Sequence, residues 1–186
     1  MDTLARPASK VRPEVVDVET LRARARLHIE QGAVTTGYAA ERETVIELLN
    51  RALATEIVCV LRYKRHYFMA SGIHAASVAA EFQEHADQEM AHADSIAKRI
   101  VELGGEPNFS PDGLSDRSHA EYVEGKSLKD MIKEDLVAER IAIESYREMI
   151  GYLGDQDPTT QRMLKEILAM EEEHAEDLSS LMEGMS

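Results

Sequence analysis

Apolar residues recur every three or four positions through most of the chain beyond residue 40, the period of a helix that buries one face. Val45, Leu49, Leu53, Val60 and Tyr63 share a stripe in a segment of about 40–70, which Gly72 ends. Phe82, Ile96, Ile100 and Leu103 do so over about 74–103, and "GGEPNFSPDG" stops that segment. A third stripe, Ile132, Leu136, Ile143, Tyr146, Ile150 and Leu153, spans about 127–153. The fourth begins near Asp157-Pro158, an N-cap followed by proline at the first helical position, and carries Leu164, Ile167, Leu168 and Leu178. Ahead of these, "DVETLRARARLHIEQG" puts Val18, Leu21, Ala25 and Ile29 on one stripe and predicts a short amphipathic helix over about 17–31, ended by Gly32. Such a helix must dock on its own bundle or on a neighbouring subunit. Residues 1–16, with Pro7 and Pro13, read as an extended tail.

The connections give the architecture. Segments one and two are joined by a few residues, as are three and four, so each pair is an antiparallel hairpin. Between two and three lie about 22 residues, roughly 105–126, enough to run the length of a bundle. The expectation is all-α: a four-helix bundle of two antiparallel hairpins with one long crossover (residues 39–186), preceded by an extension with its short helix (residues 1–38).

Composition narrows the chemistry. The 186 residues include 35 acidic and 21 basic side chains, a net charge of −14, which disfavours nucleic acid and suits cations. Only Arg6, Lys10 and Arg12 make the tail locally basic. The single cysteine, Cys59, excludes a disulfide framework and any cysteine-cluster metal site. No apolar run approaches the ~20 residues that span a bilayer, and the N-terminus lacks the apolar core of a secretory signal. The expected compartment is the cytoplasm, with no membrane partner.

Each stripe is interrupted at one level by acidic residues: Glu56 on the first, Glu89 with His92 on the second, Glu139 on the third, Glu171 with His174 on the fourth. An isolated Glu-x-x-His on a helix is ordinarily a solvated face. Two such pairs, each on an otherwise apolar stripe and each matched to a mid-helix glutamate, are different. Glu56 to Glu89 is 33 residues and Glu139 to Glu171 is 32; Tyr63 follows Glu56 by seven, and Tyr146 follows Glu139 by seven. The hairpins therefore repeat one pattern and predict a pseudo-twofold site at the bundle centre. Four inward carboxylates without cations would each cost several kcal/mol. Two divalent ions would cancel most of that charge, and the imidazoles complete a nitrogen–oxygen ligand set suited to iron or manganese.

The other candidates have plainer readings. His28, His74 and His119 lie in or near loops and are expected to face solvent; His85 is expected to be solvated, or to help bring ions in. His66, three after Tyr63, is either a partner of a ligand or a packed or exposed side chain. Met69, Met90, Met149 and Met163 read as core or interface filler, and Arg22, Arg24 and Arg26 as a solvated face.

Over about 42–178 the chain resembles the bacterioferritin family, most closely in "ALATEIVCVLRY", "DQEMAHAD", "KEDLVAERIA", "REMIGYLGD" and "EILAMEEEHAEDL". The resemblance implies a ferritin-like di-iron fold. It implies Glu56 and Glu139 as terminal ligands, Glu89 and Glu171 as bridging carboxylates, His92 and His174 as the nitrogen ligands, and Tyr63 as the tyrosine beside the metals. Met90 matches the methionine that ligates haem between two subunits; haem, or a plain interface contact, accounts for it. The sequence departs from the pattern in a long N-terminal extension, in only 12 residues after His174 where a fifth helix is usual, in Tyr146, and in Glu84 and Gln88 where some members hold an inner-surface iron site. The extension and the missing fifth helix put a 24-subunit cage in question, Glu84 and Gln88 do the same for the inner-surface iron site, and Tyr146 gives the site more symmetry.

The expected function is that of a ferroxidase with two iron ions (or manganese), oxidising ferrous iron with oxygen or peroxide for storage and detoxification, in a homo-oligomer joined through bundle faces. Two rivals stand beside it. One is a rubrerythrin- or manganese-catalase-like oxidase or peroxidase, disfavoured by the lone Cys59 and by Ala142, where rubrerythrins place a further glutamate. The other is a non-enzymatic structural bundle. A DNA-coating mini-ferritin fits less well, because that family shares its site between subunits.

Overall fold

No glycine or proline interrupts the second, third or fifth helix before its last residues, and each ends where backbone geometry demands it. The structure, a computed structural model, describes residues 17–73 and 75–184. The helices are α1 (Val18–Arg24), α2 (Arg42–Met69), α3 (Ala75–Glu102), α4 (Leu114–Arg117), α5 (Leu128–Leu153) and α6 (Pro158–Glu183). No strand occurs among the described residues. The expected tail of residues 1–16 and His74 lie outside them. The chain divides into two compact units, 1–37 and 38–186.

In the first unit the predicted helix is shorter than its pattern. α1 stops at Arg24 and only a 3-10 turn, Ile29–Gln31, follows. The reason is local. The Arg26 guanidinium bonds to the Arg22 carbonyl at 2.5 Å, the group that its own amide would have closed on, and that amide turns to Ala23 instead. His28 then takes a left-handed conformation, φ 50°. Like charges four apart disfavour continuation as well. α1 buries none of its residues.

In the second unit α2 packs along α3 and α5 along α6, with α2 against α5 and α3 against α6 closing the bundle. Ser127 caps α5 by accepting from the Asp130 amide at 3.1 Å. Asp157 caps α6 by accepting from the Thr160 amide at 2.9 Å, and Pro158 opens that helix as the sequence predicts. Asp157 also binds the Arg99 guanidinium at 3.0 and 3.1 Å and the Tyr38 hydroxyl at 2.9 Å, fastening the end of α3 to the start of α6.

The crossover lies along α2 and contains α4, a turn its pattern does not announce. Asn50 holds Glu106 and Asn108; Thr55 holds the His119 amide; Arg62 and His66 hold the carbonyls of Glu121, Val123 and Glu124. Residue numbers rise together on both strands of this contact, so the crossover runs beside α2 from one end of the bundle to the other. Gly105 permits the first close approach: a Cβ there would stand 2.7 Å from Ile46 Cγ2. Gly125, at φ +65°, permits the last, where a side chain would meet the Met131 backbone.

One buried charge cluster locks this arrangement. Asp135 on α5, fully buried, takes the Arg62 Nε at 2.7 Å and faces the His66 Nδ1 at 2.8 Å. Burial raises the Asp135 carboxyl above its usual range, against the opposing pull of His66 and Arg62. Asp135→Ala would leave Arg62 buried without a counter-charge and His66 without its carboxylate partner. It is expected to destabilise the bundle by about 3–5 kcal/mol, read as a lowered midpoint of thermal or urea unfolding; an unchanged midpoint would show that the cluster is only ornamental to stability.

Candidate metal centre

The residues that interrupt the apolar stripes meet at one level. Glu56, Glu89, Glu139, Glu171, His92 and His174 are all buried, and all lie within one chain. They form two sets. In the first, Glu56, Glu89, His92 and Glu171 bring one donor atom each within 4.8 Å of one another; in the second, Glu89, Glu139, Glu171 and His174 do the same. Glu89 and Glu171 belong to both. The His92 Nδ1 lies 3.4 Å from Glu56 Oε2, 3.4 Å from Glu89 Oε2 and 3.1 Å from Glu171 Oε1. The His174 Nδ1 lies 3.2 Å from Glu89 Oε1, 3.6 Å from Glu171 Oε2 and 3.9 Å from Glu139 Oε2. Each shared glutamate thus presents one oxygen to each set, which is the disposition of a bridging carboxylate.

The two tyrosines complete the pseudo-symmetry by crossing over. Tyr63, on the first hairpin, donates to Glu139 Oε1 on the second; Tyr146, on the second, donates to Glu56 Oε1 on the first. Glu56 and Glu139 each have one oxygen held by a tyrosine and one turned inward. Burial, then the neighbouring carboxylates, push both phenols well above their ordinary range, so they stay protonated donors.

What the inward atoms lack is a hydrogen bond. Among the described residues ten buried side-chain nitrogen or oxygen atoms have no hydrogen bond, and eight of them belong to these six residues: Glu56 Oε2, both oxygens of Glu89 and Glu171, Glu139 Oε2, and the Nδ1 of His92 and His174. Buried polar groups are almost always satisfied. Fully burying a leucine stabilises by roughly 1.5–3 kcal/mol, whereas a buried uncompensated charge costs several kcal/mol, so a cation-free cluster offsets several core residues. The donor set fits two divalent ions, each with a nitrogen and carboxylate oxygens.

Without cations, protons take their place. Burial alone would lower both imidazoles; the surrounding carboxylates outweigh it, Glu171 foremost for His92 and Glu139 for His174, and push each up to about 12. Glu171 is driven up to about 8 by burial and by Glu56 and Glu139. Burial and Glu89 drive Glu56 up. Glu139 goes the other way: burial is overcome by contacts from His174 and others, which bring it down to about 2.

Beside the centre the structure places residues whose partners lie far away in sequence. Gln88 accepts from the His174 Nε2 at 2.7 Å, fixing the ring so that Nδ1 faces the carboxylates. His85 is buried, not solvated as its sequence suggested: it stacks on His174 with centroids 4.1 Å apart, and its Nδ1 is 3.2 Å from the Tyr63 hydroxyl. Burial, then His174, holds its pKa down to about 4. His119 is half-buried instead of solvent-facing, because its loop is tied to Thr55. His66 reaches Asp135 and the crossover carbonyls. Met90 is 42% exposed on the outer face of α3, and Met149 is core. A cue for His85 existed: it falls four residues before Glu89, on the same stripe.

A four-helix bundle with one long crossover and this inward cluster is a ferritin-like architecture. The sequence matches the family described as Ferritin, ferritin-like domain, over residues 46–186. It is 30% identical over 131 residues to the bacterioferritin of Desulfovibrio desulfuricans, covering 70% of this chain and 69% of that protein. Among solved structures, it resembles the dodecameric thioferritin of Bacteroides fragilis, a bacterioferritin-related protein, with TM-score 0.76 and 32% identity over 79% of this chain and 89% of that one. It also resembles the Desulfovibrio desulfuricans bacterioferritin whose diiron site was determined in different catalytic states, with TM-score 0.68 and 27% identity over 76% and 80% of the two chains. The chain belongs to the bacterioferritin family, a family of iron-storage and ferroxidase proteins. No described helix is long and apolar enough to cross a membrane.

Proposed function

We propose that this chain is a ferroxidase that takes two ferrous ions as substrate at Glu56, Glu89, His92, Glu139, Glu171 and His174. The observation that carries the reading is the set of eight buried donor atoms without a hydrogen bond, divided between two groups that share Glu89 and Glu171. Each ferrous ion gives up one electron. With peroxide as oxidant, two ferrous ions, one peroxide and two protons yield two ferric ions and two waters; with oxygen, two ferrous ions and two protons yield two ferric ions and one peroxide.

The protein supplies position and charge. Glu89 and Glu171 hold the two ions at a fixed separation, Glu56 with His92 and Glu139 with His174 close the two ends, and the apolar residues on either side exclude bulk water. Tyr63 and Tyr146 orient the terminal carboxylates by hydrogen bonding, and Tyr63 is placed to give an electron or a proton. The complete set within one chain supports this reading over a site shared between subunits. Exposed Leu61, Phe68 and Met90 on α2 and α3 mark the face through which we infer that copies associate, and a haem bound at Met90 would give the purified protein a visible absorption band.

The test is an anaerobic titration of the purified protein with ferrous iron, followed by admission of oxygen or peroxide. Saturation at two ions per chain and oxidation far faster than that of iron in buffer are expected. Oxidation no faster than in buffer would refute the proposal. Sustained peroxide turnover by the manganese-loaded protein, without net iron oxidation, would favour the catalase-like rival instead.

A further inference from the structure

A third group of donors lies one ring away from the centre. Glu81 and His85, one turn apart on α3, and Asp177 on α6 bring ligand atoms within 4.8 Å of one another, and none of the three belongs to the six. His85 is only 1% exposed, whereas the Asp177 side chain is 47% open to solvent. The group is therefore a solvent-facing mouth with a buried imidazole at its floor.

Hydrogen bonding fixes which way that imidazole points its lone pair. Tyr63 has one hydroxyl proton, and it is committed to Glu139. The Tyr63 oxygen can then only accept from His85, so the proton of the neutral ring sits on Nδ1, 3.2 Å away. Nε2 is left with its lone pair, aimed at Glu81 Oε1 at 3.4 Å and Asp177 Oδ2 at 3.8 Å. Here a lone pair and two carboxylate oxygens face each other at standoff, with Glu84 adding further negative charge beside Glu81. A cation between them would be held by one nitrogen and two carboxylate oxygens.

We propose that Glu81, His85 and Asp177 form a third divalent-cation site, a staging position at which ferrous iron is captured from solvent before it enters the centre. The binding claim stands on these three residues alone; the staging claim rests on the ferroxidase reading. One nitrogen and two carboxylate oxygens suit iron, manganese, cobalt or zinc. Three protein donors leave the remaining positions to water, so the ion is held exchangeably. His85 links the two places physically, through its stack on His174 and its bond to Tyr63.

Cobalt(II), which needs no anaerobic handling, provides the test. Equilibrium dialysis of the intact protein against cobalt in excess magnesium should saturate at three ions per chain, and at two in Glu81→Gln and in Asp177→Asn, with circular dichroism unchanged. Glu89→Ala, which breaks the centre, should keep the third ion. Saturation of the wild type at two, or of both mouth variants at three, overturns the site. At subsaturating ferrous iron, Glu81→Gln and Asp177→Asn should slow oxidation several-fold; an unchanged rate overturns staging while leaving the site. Rapid oxidation by Glu89→Ala would instead refute the ferroxidase assignment and leave the third site intact.

Discussion

Replacing Glu171 by glutamine is expected to abolish rapid ferrous oxidation and, in the same protein, to raise the thermal midpoint of the metal-free form. The two effects have one cause. Glu171 gives an oxygen to each donor set, so its loss removes an anionic ligand from both ions at once. Partners that merely orient a ligand are worth up to roughly 100-fold in affinity or activity. Loss of a shared ligand should exceed that, and Glu89→Gln should match it. In the absence of metal the same carboxylate is a liability, because it sits fully buried among Glu56, Glu89 and Glu139. Burial, Glu56 and Glu139 raise its pKa to about 8, so folding must either charge it or hold a proton on it, and an amide of equal shape removes that cost. Wild-type protein should gain about 2.7 kcal/mol from a divalent ion at 100 times its Kd, and the variant far less. Thermal melts of both proteins with and without cobalt, beside stopped-flow ferrous oxidation, read all of this. A variant that melts lower without metal and is stabilised by cobalt as much as the wild type would mean that Glu171 is not a ligand.

The six inward residues were legible because each breaks an apolar stripe, and because the break recurs at matching intervals in both hairpins. A periodic pattern carries information about which face is buried, and a carboxylate on that face needs an explanation that the sequence alone can demand. Asp135 shows where this logic stops. It lies four residues before Glu139 and is fully buried, yet no repeat or matched partner in the sequence marks it. Its partners Arg62 and His66 lie on another helix some 70 residues away, and only the fold brings them together. Gln88 is the same case, 86 residues from His174. The helix boundaries followed their caps, Ser127 and Asp157, whereas α1 fell short because an arginine side chain competed for the helical carbonyl.

The repeat also shows where the two halves differ. Tyr63 and Tyr146 play matching parts, but the position four before Glu89 is His85, and the position four before Glu171 is Ile167. One half thus has a polar route to solvent through Glu81 and Asp177, and the other is sealed by an aliphatic side chain that is only 4% exposed. The pseudo-twofold centre therefore has one polar side, the side on which the proposed third site lies.

Protons and metal ions compete for this centre, which gives its stability an unusual pH dependence. Without metal, His92 and His174 keep their protons up to about 12, against 6.5 in the unfolded chain. Each stabilises the fold fully below pH 6.5, and that contribution is lost as pH rises from there toward 12. Glu171, raised from 4.5 to about 8, adds a loss that begins near pH 4.5. Glu139, lowered to about 2, works in the opposite sense: its stabilisation is present above pH 4.5 and is lost as pH falls toward 2. The metal-free protein is therefore expected to be most stable near pH 4.5, to weaken above it as Glu171 contributes less, and to weaken more steeply above about pH 6.5, by up to about 1.4 kcal/mol per pH unit for each proton that the folded form alone retains. Metal binding must expel those protons, since an imidazole coordinates only when neutral on the bound nitrogen. Divalent-ion affinity should accordingly rise across the window in which the metal-free fold weakens, and mixing cobalt with protein in dilute buffer should release protons to a pH indicator. Urea midpoints from pH 5 to 9, with and without cobalt, trace the two curves. A metal-free midpoint that is flat over this range, together with no proton release on adding cobalt, would show that the two histidines neither hold the protons nor bind the metal.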